Sequence, residues 1–86
     1  MSTKNVDALT PAQCRGARGM LGISQIELAQ TAGLGLSTIV DFEKSRRPVS
    51  EESLKKIYDA LVRCGVEFIA SNGGGAGVRL KRSRKS

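Results

Sequence analysis

Lys44, Arg46 and Arg47 follow a short apolar stripe at helical spacing and are closed off by Pro48. Three cations set this close together suit the binding of phosphate or another anion. Two further polar side chains stand where they can join such a grip. Gln25 sits at a predicted helix start, where unsatisfied backbone N–H groups face anions, and Arg15 flanks the first predicted helix. Covalent chemistry has no comparable footing. There is no histidine, no carboxylate cluster in a plausible pocket and no nucleophile beside a base. Cys14 and Cys64 are far apart, lack a CxxC spacing and fall on helical patterns, so both are expected as buried thiols in a reducing compartment. The glycine run at 73–77 precedes a strand pattern, whereas a phosphate-cradling loop opens a helix, so it is expected as a turn. The expectation is therefore a binding protein, with no catalytic residue, no metal site and no cofactor.

The location of the charge says more than its total. The 86 residues hold 14 Lys+Arg against 8 Asp+Glu, a net +6. Residues 10–70 carry 8 basic and 7 acidic residues, or +1, while residues 71–86 carry 5 basic and no acidic ones. The prospective core is nearly neutral, and the excess belongs to Arg79, Lys81, Arg82, Arg84 and Lys85, which suit a salt-sensitive hold on a polyanion or a solubilising tail. No aromatic residue interleaves with this charge, so stacking on single strands is not expected. The length sets a limit of one small domain. Residues 1–9 lack the apolar run of a leader, and no segment is long enough to span a bilayer, so a cytoplasmic, nucleoid-associated protein is expected.

The elements that must position these side chains can be read in order. Thr10-Pro11 is a strong helix start, with Thr as N-cap and Pro at the first helical position; the helix runs to Leu21 and stops at Gly22, its apolar face being Cys14, Ala17 and Leu21. Ser24 stands three residues before Glu27, the spacing of a capping box, and Ile26, Leu28, Ala29 and Ala32 mark an apolar stripe ending at Gly33. Leu36, Ile39 and Phe42 give a second stripe over about 36–44. Two helices this short cannot stand alone in water, so a tight helix-turn-helix pressed against other helices is the economical reading. Ser50 caps a fourth helix that begins with Glu51 and Glu52, buries Leu54, Ile57, Tyr58 and Leu61, and stops at Gly65. The hydrophobic period then changes to two, and 66–69 and 78–81 read as strands of a hairpin. The fold expected is mainly α: a compact four-helix helix-turn-helix domain over 10–65, preceded by a flexible arm at 1–9 and followed by a β-hairpin at 66–81 and a basic tail at 82–86.

Over residues 10–61, and most strongly over 18–48, this pattern resembles the DNA-binding domain of the phage repressor and Cro family, the large bacterial group of XRE-type regulators. Gln25 matches a family glutamine that bonds a DNA phosphate, Ala29 and Gly33 match the small residue and turn glycine, and Ile39 and Phe42 match buried positions of the recognition helix. The resemblance implies a buried ion pair between Arg18 and Glu43, and it places the base-reading face on Gly35, Leu36, Ser37, Thr38 and Asp41. The chain departs from common members here, offering an apolar side chain, two hydroxyls and a carboxylate where bidentate Gln, Asn or Arg is usual. Phosphate contacts are expected from Gln25, Lys44, Arg46, Arg47 and Arg15.

The function implied is a sequence-specific regulator of transcription that binds double-stranded DNA at a palindromic operator. Such proteins dimerise to read two half-sites. Val66, Phe68, Val78 and Leu80 lie on one alternating face, so a homodimer through the C-terminal strands is expected. The alternatives are an antitoxin or immunity-type regulator that also binds a protein partner, and a protein–protein adaptor that does not bind DNA.

Overall fold

The computed structural model describes residues 9–69 and 76–81. Thr10 opens the first helix, α1 (Pro11–Leu21), through a capping box: its hydroxyl accepts from the Gln13 amide, and the Gln13 side-chain carbonyl accepts from the Thr10 N–H. Ser24 and Glu27 do the same at the start of α2 (Gln25–Ala32). Helix α3 (Leu36–Glu43) follows after a three-residue turn, and α4 (Glu51–Cys64) is capped by Ser50. Strands β1 (Val66–Ile69) and β2 (Gly77–Leu80) pair antiparallel, with Val66 opposite Leu80 and Phe68 opposite Val78. The chain is thus a mainly helical domain with a C-terminal hairpin. The expected flexible arm (apart from Leu9), the loop glycines 73–75 and the tail cations Arg82, Arg84 and Lys85 lie outside the described residues.

One core joins all of these elements. Cys14, Leu28, Ile39, Ile57, Leu61 and Val66 are fully buried, and Leu9, Ala17, Ala29, Ala32, Phe42 and Ala60 complete the cluster. No one of the short helices could bury enough apolar surface by itself. Two details differ from the sequence reading. Ile26 is 54% exposed, because it lies about 200° around the helix from Leu28 and so faces away from the core. Cys64 is exposed rather than buried, although Leu61 in the same turn of α4 and Val66 just beyond it are fully buried.

The hairpin lies against α1 as well as α4. The Gln13 amide donates to the Gly77 carbonyl at 2.8 Å, pinning β2 to the start of α1. Lys81 N–H extends the pairing to the Gly65 carbonyl at 2.7 Å. Phe68 stacks on Tyr58 of α4, ring centroids 5.1 Å apart. A two-stranded ribbon is marginal by itself, and this packing is what holds it.

Candidate nucleic-acid interface

Helices α2 and α3 are set by the turn between them. Gly33 takes a left-handed conformation, φ 73°, which glycine adopts without the Cβ clash other residues suffer. The Gly33 N–H then reaches the Gln30 carbonyl and the Leu34 N–H the Ala29 carbonyl, a Schellman closure of α2. Beyond Gly35, α3 turns Ile39, Phe42 and Glu43 inward. At about 100° per residue, Ser37, Asp41 and Lys44 lie on the opposite side, flanked by Leu36 and Val40. Leu36 is 42% exposed, Ser37, Lys44 and Gly35 are exposed, and Thr38, Val40 and Asp41 are half-buried. Val40 was missed by the sequence reading, although its position four residues after Leu36 would have placed it beside that side chain.

A buried carboxylate fixes the rotation of α3. Glu43 is 2% exposed and accepts four hydrogen bonds: from Arg18 Nε at 2.7 Å and Nη2 at 2.8 Å, from Gln25 Nε2 at 3.0 Å and from the Cys14 thiol at 3.1 Å. Arg15 Nη1 donates to the backbone carbonyl of Glu43. All three helices of the unit converge on this one residue. Burial alone would raise the Glu43 carboxyl, but the hydrogen bonds from Arg18, Cys14 and Gln25 and the Arg18 charge outweigh it, so its pKa lies below the ordinary value. The hydrogen bonds to Glu43 raise Arg18 further. Burial, and then the adjoining carboxylate, push the Cys14 thiol well above its usual range, so it is a neutral donor and a poor nucleophile.

The site residues therefore divide. Arg18 and Glu43 are brought together. Gln25 and Arg15, expected at DNA phosphates, both have a donor engaged by Glu43, and no sequence signal marked Cys14 or Arg15 as partners of that residue. Lys44, Arg46 and Arg47 are exposed at the end of α3. The helix ends in a second Schellman closure, with Ser45 N–H on the Phe42 carbonyl and Arg46 N–H on the Asp41 carbonyl. Ser45 holds φ 55°, the one positive-φ residue other than glycine among the described residues. The reversal brings Arg47 Nε to 3.0 Å from Asp41 Oδ2 and Arg46 Nη1 to 3.8 Å from Oδ1. Ser37, Thr38, Asp41, Arg47, Ser50 and Ser53 line a polar recess of about 280 Å³ beside them.

The face expected to dimerise lies mostly inward. Val66 is fully buried, Phe68 and Val78 are half-buried against the core, and Leu80 is 53% exposed. Among the described residues no helix is long and apolar enough to cross a membrane, and no cluster of acidic and thiol side chains could hold a metal ion.

A comparison with protein families finds that a family model described as helix-turn-helix matches residues 15–61. None of the curated proteins compared with the chain matches it.

Proposed function

Because the chain belongs to the XRE-type helix-turn-helix family, whose DNA-binding domain is regulatory rather than catalytic, we propose that it is a sequence-specific regulator that recognises a palindromic operator as a homodimer. In this reading α3 enters the major groove of double-stranded DNA. By family position Gly35, Leu36, Ser37, Thr38 and Asp41 stand on the side turned to the bases, while Lys44, Arg46 and Arg47 grip the phosphates and Gln25 and Arg15 adjoin that grip. The observation that carries it is the division of α3: its inner side is locked by Ile39, Phe42 and Glu43, and its outer side, with three cations at its end, has no duty in the core.

The side chains on offer favour a particular readout. Leu36 and Val40 present methyl groups beside the Ser37 hydroxyl, a set suited to thymine methyls rather than to the paired acceptors of guanine. The dimer would form through an outer strand edge of the hairpin with Leu80 beside it, since an unpaired edge accepts a partner edge. Placement in the cytoplasm, with the nucleoid, follows from such a role.

Selection of bound duplexes from a random pool, followed by salt titration on the selected and a scrambled duplex, tests the reading. A regulator gives one enriched half-site repeated about one helical turn apart and a steep salt slope. Unselective, salt-independent retention would refute it. Sedimentation on and off DNA tests the dimer, which a monomer under both conditions would exclude.

A further inference from the structure

Asp41 stands on the outer side of α3, where family position assigns it to base reading, yet its carboxylate is already engaged. Its side chain is 16% exposed, covered by Arg47 and Arg46, whose side chains are 73% and 59% exposed. A carboxylate so covered is poorly presented to a cytosine amino group. The contact with Arg47 is made through Nε alone, at 3.0 Å. Among the described residues, neither Nη1 nor Nη2 of Arg47 makes a hydrogen bond. The fork that pairs bidentately with phosphate oxygens is thus left open while the guanidinium is held at its inner edge.

We infer that Asp41 is a positioning residue: it holds the Arg47 guanidinium by Nε so that its Nη fork faces a DNA backbone phosphate. The inference rests on the DNA-binding reading above and deepens it. Arg47 lies on a reversal fixed by Ser45 in the left-handed region and by the Arg46 N–H bond to the Asp41 carbonyl, so main chain and carboxylate act on the same segment. An arginine pre-set in this way loses less rotamer freedom on binding than a free one. Base discrimination is then left to the methyl and hydroxyl groups of Leu36, Ser37, Thr38 and Val40.

The test is a double-mutant cycle in the full chain with D41N and R47K, measuring binding to the selected duplex and a scrambled one across a salt series. A carboxylate that merely repelled DNA would tighten binding when neutralised, so the sign is diagnostic. D41N is expected to weaken both duplexes alike, by about three- to tenfold, and to lower the salt slope by about 0.9 as one phosphate contact is lost. R47K, which keeps the charge but has neither Nε nor the Nη fork, is expected to weaken both duplexes by a similar factor, and adding D41N to R47K is expected to cost nothing further. In the free protein the Arg47 Nε–H resonance should shift in D41N. Tighter binding by D41N, a loss confined to one base pair of the operator, or additive losses in the double variant would overturn the assignment. If the wild-type chain binds neither duplex, the DNA reading itself fails, and this inference falls with it; the wild-type arm separates that result from a failure of the cycle alone.

Discussion

Replacing Glu43 by glutamine keeps the shape of the side chain and removes its charge. The carboxylate takes two donors on each oxygen: Arg18 Nε and Cys14 Sγ on Oε2, Arg18 Nη2 and Gln25 Nε2 on Oε1. A glutamine has one accepting oxygen, so whichever way the amide turns, two of those donors face an NH2 group instead. Charge-assisted bonds of this type are worth about 1.5–3 kcal/mol each, and Arg18, with 20% of its side chain exposed, regains part of its solvation from water. The expected loss is about 2–4 kcal/mol, against a stability of roughly 5–10 kcal/mol for a domain of this size. Thermal melting should fall by roughly 8–32 °C, taking about 4–8 °C per kcal/mol. Urea titration should show a lower midpoint with an unchanged slope. Removing both charges together, as R18M with E43L, should cost less than E43Q alone, because no buried charge is left without a partner. An E43Q midpoint within error of wild type would refute the view that Glu43 organises the three helices.

The same residue gives a pH dependence. Its folded-state pKa is depressed, so its contribution is present above the unfolded-state carboxyl value, about 4.3 for glutamate, and is lost as pH falls through the folded value; midpoint against pH should drop in acid, and E43Q should flatten that drop. Gly19 is exposed inside α1 with open space where a Cβ would sit, so G19A should stabilise by about 0.5–1 kcal/mol in denaturant titration. G33A should do the opposite, by about 1–2 kcal/mol, because φ 73° is strained for alanine; equal effects from the two would contradict the backbone argument. In the selected operator, exchanging thymine for deoxyuridine beneath α3 should weaken binding by about three- to tenfold at one or more positions, and L36A should abolish that sensitivity; indifference at every thymine would exclude methyl reading.

The features legible in the sequence were those that a local rule controls. Thr10 as N-cap and Ser24 with Glu27 as a capping box follow from residue type and a three-residue spacing, and Gly22, Gly33 and Gly65 stop helices because each takes positive φ. The hairpin was legible from its period of two, but its seat on α1 was not. That seat depends on Gln13, whose carbonyl serves the local cap while its amide reaches Gly77, and only the first task leaves a trace in spacing. Cys64 was misjudged because periodicity gives a face but not the depth of each position on it: Ala60 and Leu61 are fully buried, and Cys64, four and three residues on, is not.

The candidate interface was harder to read because its polar side chains choose between neighbours and solvent. Family position marks Gln25 for phosphate and Asp41 for bases, but position fixes only the Cα. In the folded chain Gln25 turns to Glu43, which offers a buried, fully ionised acceptor that bulk water does not match. Asp41 turns to Arg47 because the chain reverses at Ser45, where glycine or asparagine would have announced a left-handed turn and serine does not. One eight-residue helix therefore has its axis set from below by a carboxylate on α1 and α2 donors, and its basic exit set from above by a second carboxylate two residues earlier. Glu43 and Asp41 are chemically alike and nearly adjacent, and what separates their roles is burial: the first is sealed in the core and determines where α3 lies, while the second stays near solvent and determines where Arg47 points.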